Sequence, residues 1–286
     1  MHDMWAFTGV CHYANGCEKY WKGCCDCPQL ICRGHNDLSA TYFEKKKMLF
    51  RNADIRFVGC SQWMADMARK SGLLAGNLIT NIPNAIDTDI FKPLNKNEVR
   101  KKLHLPLDKK LILFCSMKTT DTRKGMNYLI DACQYLQKCE YAVVILGGKA
   151  EIYKDILSMP IYCLNYVSNE KDMADVYNAA DVFVTPSMQD NLPNTIMEAM
   201  SCGTPCVGFN TGGIPEMIDH KQNGYVAKYK DANDLAEGIK YVLSPDNAER
   251  LSKACVEKIA RCYSEKAVAE RYIELYTKKK RNISSL

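Results

Sequence analysis

Asp190-Asn-Leu-Pro-Asn-Thr-Ile-Met-Glu198 runs directly into Ala199-Met-Ser-Cys-Gly-Thr-Pro205, and Pro205-Cys-Val-Gly-Phe209 then reads as a strand. Pro193 and Asn194 form a turn that opens a short helix, which puts Asp190 in the loop before it and Glu198 near its beginning. Carboxylates accept hydrogen bonds from hydroxyls, while the amides and dipole of a helix start attract anions. Loop, helix and strand in this order therefore suit a ligand that joins sugar hydroxyls to phosphates. Thr195-Ile-Met-Glu198 also fits a capping box, in which Glu198 only satisfies a backbone amide. Alone, this stretch leaves both roles open.

Upstream, Leu111-Ile-Leu-Phe-Cys115, Ala142-Val-Val-Ile-Leu146 and Asp181-Val-Phe-Val-Thr185 are short, mainly apolar runs, separated by helical patterns at 126–136 and 170–179. Such runs read as strands buried on both faces. Their alternation with helices predicts an α/β fold with a doubly wound parallel sheet, whose ligands bind beyond the carboxyl ends of the strands. Gly147-Gly148 and Pro186-Ser187 mark loops at those ends, although each is also an ordinary turn signal. Further helices follow Asp231. The last, at about 264–280, carries Val268, Tyr272, Leu275 and Tyr276 on one stripe. Lys278-Lys-Lys-Arg281 reads as a solvated end, with contact to anionic lipid as the alternative.

Residues 1–90 differ in character. The first 32 are dense in cysteine, aromatic and turn residues, after which helices at 36–50 and 61–70 flank a strand, Arg56-Phe-Val-Gly59. With 286 residues the chain holds one large or two ordinary domains, and 47% hydrophobic with 25% charged residues gives ample core material. A net charge of +5 is too mild and scattered for a nucleic-acid partner, but it suits an anionic substrate or membrane surface. No apolar run reaches membrane-spanning length. Fifteen cysteines without a secretion signal suggest a reducing, cytoplasmic setting.

Pro83-Asn-Ala-Ile-Asp-Thr-Asp-Ile-Phe-Lys-Pro93, Arg123-Lys-Gly125, Ala179-Ala-Asp-Val-Phe-Val-Thr-Pro-Ser187 and the 190–205 stretch recur with Gly212-Gly-Ile-Pro-Glu216 and Asn223-Gly224. In order and spacing this set resembles the family 4 (group 1) glycosyltransferases of GT-B fold. His2-Asp-Met-Trp-Ala-Phe-Thr-Gly9 with Cys11-His-Tyr13 is similar to the subgroup typified by bacterial colanic acid and capsule-type glycosyltransferases. The resemblance implies retaining, metal-independent transfer of a hexosyl-type sugar from a nucleotide diphosphate donor to a polysaccharide or lipid-linked glycan acceptor. No cofactor is implied. The setting is the cytoplasm, or the periphery of the inner face of the membrane.

It also implies three segments: a partial acceptor-side domain over 1–90, a nucleotide-sugar-binding domain over 91–262, and a helix and tail over 263–286 packing back toward the first. Glu198 would hold the donor ribose, and Asp190, usually Glu in the family, the sugar hydroxyls. Lys124 would neutralise the diphosphate. Thr119 occupies the place of the family's upstream arginine, which leaves Lys118 or Arg123 to substitute. Asn191, Leu192, Asn194 and Thr195 would offer amides to the phosphates, Pro193 shaping the same loop without one. Tyr166 and Val167 would meet the base, and His2 would face sugar and acceptor. Asp87-Thr-Asp89 spells a metal-binding motif of another glycosyltransferase class but sits inside the 83–93 hinge pattern.

Cys11, Cys17, Cys24 and Cys27 include one Cys-x-x-Cys pair and could bind a structural zinc; a loop-rich cap with free buried thiols is the alternative. The resemblance starts midway through the family's first domain, without its opening strands or glycine-rich loop. That predicts exposed apolar strand edges near residues 1–60. It also leaves a second functional class open, a catalytically silent nucleotide-sugar-binding fragment. A zinc-organised interaction protein is a third.

Overall fold

A computed structural model describes residues 1–283 apart from Asn52, Asn165 and Tyr166, with side chains as far as Thr277. Two compact units divide the chain, Met1–Pro83 and Asn84–Leu286. The first holds α1 (Leu38–Phe50), β1 (Arg56–Gly59), α2 (Gln62–Lys70) and β2 (Leu78–Asn81). The second holds α3 (Lys96–Lys102), β3 (Lys110–Lys118), α4 (Met126–Cys133), β4 (Tyr141–Gly148), β5 (Ile161–Leu164), α5 (Glu170–Ala179), β6 (Val182–Thr185) and α6 (Asn194–Ser201). It continues with β7 (Cys206–Phe209), α7 (Ile214–Met217), β8 (Gly224–Ala227), α8 (Ala232–Leu243), α9 (Pro245–Cys262) and α10 (Glu265–Ile283).

In the first unit β1 and β2 pair in parallel, Arg56 opposite Leu78. Asp37 starts α1 by accepting the amides of Ser39 and Ala40, and its other oxygen takes the Cys27 amide at 2.7 Å. One carboxylate thus begins a helix and fastens the cysteine-rich loop to it. Hydrogen bonds from Ser39 and then Cys27 hold that carboxyl well below its usual range. Ser61 caps α2 through the Met64 amide. The irregular opening segment wraps a buried lysine: Lys46 donates to the carbonyls of Trp5, Thr8 and Gly9, and its Nζ lies 3.7 Å from the Trp5 ring centroid. Met4, Phe7, Tyr20, Phe43 and Met64 fill the core around it.

Zinc is not held by Cys11, Cys17, Cys24 and Cys27: among the described residues no three Cys, His, Asp or Glu side chains converge as metal ligands. Cys24 Sγ instead accepts the Gly9 amide at 3.2 Å. Burial pushes its thiol up to about 11 and that of Cys11 up as well. All four are free thiols. The edge of β1 is also less open than its sequence suggested, because Met1 bonds to the main chain of Val58 and Cys60. Exposed apolar side chains do occur within residues 1–60, at Ile31, Met48, Leu49 and Ile55 among others, and at Leu78 of β2.

The second unit is built on a six-stranded, wholly parallel sheet in the order β5-β4-β3-β6-β7-β8. Alternate strand residues divide between its faces. Ile112, Phe114, Val143, Ile145, Val182, Val184, Val207 and Phe209 pack with Met126 and Leu129 of α4 and Leu235 and Ile239 of α8. Leu111, Leu113, Val144, Phe183 and Cys206 are buried on the other face, where Tyr177 of α5 meets Phe183 and the Ile196 carbonyl of α6 meets Cys206. Apolar runs without alternation therefore became strands covered on both sides, and the loops at their carboxyl ends all emerge at one edge.

Three local expectations shift. Helix α4 stops at Cys133 rather than residue 136. Asp87 and Asp89 form a turn, the Asp87 carboxylate accepting the amides of Asp89 and Ile90. In α10 Val268 is buried, but Tyr276 is exposed beside exposed Ile273, so the stripe is not a single packing face. The side chains of 278–281 lie outside the described residues.

Asp181, just before β6, anchors the opposite end of the sheet. It accepts the Leu111 amide at 2.7 Å and pairs with Lys96 at 2.8 Å and the buried Arg100 at 2.6 Å. Burial alone would raise its pKa, but Lys96 and Arg100 outweigh burial and hold it below the ordinary carboxylate value. Asp181→Ala strands the Arg100 charge and is expected to destabilise this unit by about 3 kcal/mol. Hydrogen exchange of β3 and β6 amides should accelerate accordingly. In the wild type, the Asp181 contribution is present above a pH of about 4 and is lost as pH falls through the depressed folded value. Unchanged exchange in the variant would contradict this anchor.

Candidate functional site

At the carboxyl edge of the sheet the loop after β3 meets the loop after β6. Gly125 makes this approach possible: its φ is +72°, and a Cβ there would lie 1.9 Å from the Pro186 carbonyl oxygen. The residue before it, Lys124, extends to Asp190, with Nζ 2.6 Å from Oδ2. Arg123 stands 3.8 Å from the same oxygen and donates to the Gln189 carbonyl at 3.0 Å, while its other terminal nitrogen lies 3.5 Å from Asp121. Asp190 is only 7% exposed. Its main chain is fixed by the 211–213 loop, where the Gly213 amide donates to the Asp190 carbonyl at 3.2 Å. Gly212 (φ +57°) leaves no room for a side chain, since its Cβ would lie 1.7 Å from that carbonyl.

Glu198 completes the group. Helix α6 begins at Asn194 with Pro193 as its N-cap and no side-chain cap, which makes Glu198 the fifth helical residue. A capping box needs the acid at the third, and here Glu198 Oε2 accepts the Tyr177 hydroxyl at 2.7 Å instead. Glu198 is therefore not a capping residue. Burial raises its pKa above the usual value, Tyr177 pulls it back, and Glu170 adds a further push upward. Cys115, near the end of β3, links the two halves of the site. Its thiol is pushed up to about 12, first by burial and then by Glu198, with Lys124 acting in the opposite direction. Glu198 and Lys124 thus act with opposite sign on one half-buried thiol.

The remaining expected residues fall as follows. Asn191 and Leu192 are buried in the loop, and Asn194 accepts from the Asn84 side chain at 3.0 Å. Thr195 lies in the first turn of α6, and Val167 is half-buried after β5. Tyr166 lies outside the described residues. Lys118 is exposed at the end of β3, and His2 is exposed in the first unit. Thr119, in the place where the family's arginine was sought, is buried and structural: its hydroxyl donates to the Gly148 carbonyl at 2.8 Å and its carbonyl accepts from Tyr153. Sequence inspection missed Tyr177 and Cys115. A tyrosine on the buried side of a helix needs a partner for its hydroxyl, and that need was the available signal.

Two oppositely charged pairs beside a half-buried acid can bind a phosphate on the cations and hydroxyls on the carboxylates. The comparisons agree with this chemistry. Residues 95–261 match the family described as glycosyl transferases group 1. The chain is 26% identical over 243 residues to the N,N'-diacetylbacillosaminyl-diphospho-undecaprenol alpha-1,3-N-acetylgalactosaminyltransferase of Campylobacter jejuni, covering 83% of this chain and 64% of that protein. It is 24% identical over 211 residues to the UDP-Gal:alpha-D-GlcNAc-diphosphoundecaprenol alpha-1,3-galactosyltransferase of Escherichia coli, covering 69% and 54%. The chain thus spans between half and two thirds of the length of these relatives. Sucrose-phosphate synthase from Thermosynechococcus elongatus superposes with a TM-score of 0.73 at 23% identity over 85% of this chain and 62% of that one. HepE of Anabaena, in complex with UDP-glucose, does so with 0.65 at 19% over 77% and 63%. These likenesses establish a GT-B-like fold.

Gly212→Ala would drive a methyl group into the Asp190 carbonyl and disturb the loop that carries this acid. Amides of residues 186–193 are expected to exchange about tenfold faster while β3 to β5 stay protected. Unaltered exchange in 186–193 would show that the loop does not depend on this contact.

Proposed function

The chain belongs to the group 1 glycosyl transferases, and from that premise we propose that it transfers a sugar, with retention, from a nucleoside diphosphate donor to a lipid-linked glycan. The observation that carries this is the Lys124–Asp190 pair at the carboxyl edge of the sheet, Asp190 standing in the loop that leads directly into the helix bearing Glu198. Lys124 and Arg123 face the diphosphate, Arg123 being the better candidate for the missing family arginine because it already stands beside Asp190 while Lys118 is exposed. Asp190 takes the sugar hydroxyls, Glu198 the ribose, and the amides of 191, 192, 194 and 195 the phosphates. Val167 borders the base.

The bond broken joins the anomeric carbon to the diphosphate; the bond formed joins that carbon to the oxygen of an acceptor hydroxyl, whose proton passes to the departing diphosphate. Negative charge grows on the leaving group as positive charge grows on the sugar. A fixed cation or amide aimed at the leaving group is worth roughly 3 kcal/mol in that transition state, so the site needs no metal. Holding the donor in one orientation adds more. Lys124 must then be shared between Asp190 and the donor, which couples sugar recognition to diphosphate recognition.

The two relatives named above act, by name, on diphospho-undecaprenol carriers. Their chemistry supports a polyprenyl-diphosphate-linked acceptor, polysaccharide assembly, and work at the inner face of a membrane. No described helix is long and apolar enough to cross one. A second reading is nucleotide-sugar binding without turnover.

Isothermal titration with UDP, ADP and GDP, alongside donor turnover, separates these readings. One nucleotide should bind, and Lys124→Ala should weaken it about 10- to 100-fold. Because Glu198 must be ionised to accept ribose hydroxyls and burial raises its pKa, affinity should start to fall at a higher pH than an ordinary glutamate, about 4.3, would dictate. Binding with no turnover selects the silent reading, and no binding of any nucleotide rejects both.

A further inference from the structure

We propose that Tyr177 is the positioning residue of this site: its hydroxyl fixes Oε2 of Glu198 so that the other carboxylate oxygen is presented to the donor ribose. This rests on the donor reading above and assigns a role to a residue outside the 190–198 motif. Tyr177 is 0% exposed on α5, and its ring is wedged between Phe91, with centroids 6.4 Å apart, and Phe183, at 5.8 Å. Its carbonyl accepts the Thr204 hydroxyl at 2.8 Å, which ties α5 to the turn before β7. The phenol therefore has one direction in which to point, and the acceptor it finds is Glu198 at 2.7 Å.

Glutamate has three rotatable side-chain bonds, and ribose recognition needs one setting of them. A hydrogen bond from a rigid phenol selects that setting before the donor arrives, which removes an ordering cost from binding. The phenol also favours the ionised acid. A buried carboxyl left alone would hold its proton to higher pH, and the protonated form offers fewer acceptor positions to the ribose hydroxyls. Groups bearing on Glu198 come from three places: Tyr177 and Glu170 on α5, Cys115 on β3 and Cys202 just after α6. Of these, Tyr177 is the one that favours its charged form. The phenol itself remains a donor, because burial pushes its own ionisation far upward.

Tyr177→Phe keeps the ring and removes only the donor. By titration with UDP, ADP and GDP, affinity for the preferred nucleotide should fall about tenfold at pH 7, the scale of one lost hydrogen bond to a charged group. The pH at which binding is halved should rise, and KM for the donor sugar should increase with kcat nearly unchanged. In a Glu198→Ala background the same substitution should cost nothing further. Wild-type affinity in Tyr177→Phe, an unshifted pH profile, or an equal loss in both backgrounds would each overturn the proposal, since a packing role alone predicts the last of these. If the wild type binds no nucleoside diphosphate, the donor reading fails and this proposal with it. If it binds and Tyr177→Phe binds equally, only this proposal fails.

Discussion

The ion pair between Lys124 and the buried Asp190 sets the terms for everything around it. Charges removed from water must be matched closely, because separating them or misplacing either leaves an uncompensated ion in a poorly hydrated space. That requirement explains why the surrounding loops are so constrained. Gly125 lets the β3 loop press on Pro186, and Gly212 lets the β7 loop press on Asp190 itself. Asp121 caps the turn that carries Arg123 by accepting its amide, and Arg123 holds the Gln189 carbonyl. Three loops from three parallel strands are thereby locked into one edge.

The sheet supplies the rigidity behind that edge. Its four central strands, β4, β3, β6 and β7, are largely buried on both faces, and Asp181 pins the far end through Lys96 and Arg100. The sheet thus carries a charge cluster at each end, Asp181 with Lys96 and Arg100 at the amino end of β6 and Asp190 with Lys124 beyond its carboxyl end. Burial is kept incomplete at Glu198, which meets Tyr177 on one side and stays partly open on the other.

Much of this was legible in the residues. The apolar runs at 111–115, 142–146 and 181–185 each became a strand of the parallel sheet, and the helix at 170–179 has the bounds its pattern suggested. Asp190 and Lys124 were singled out from their motifs and meet in space. What escaped notice depends on distance in sequence. Tyr177 lies 21 positions before Glu198, inside a helix that otherwise reads as packing, so its hydroxyl gave no local sign. The capping box at 195–198, left open as an alternative for Glu198, is a coincidence of spacing, because the helix starts one residue before Thr195 with Pro193 as its N-cap. The four amino-terminal cysteines misled for a related reason. Spacing alone cannot show that one thiol is turned toward a backbone amide and the set is left without convergence.

The most direct measurement is a crystal structure of the chain with UDP bound. A β-phosphate on Lys124, with the ribose hydroxyls on the Glu198 oxygen that Tyr177 leaves open, is the result predicted. UDP seated away from this edge, with Lys124 still closed on Asp190 and Glu198 untouched, would contradict the account.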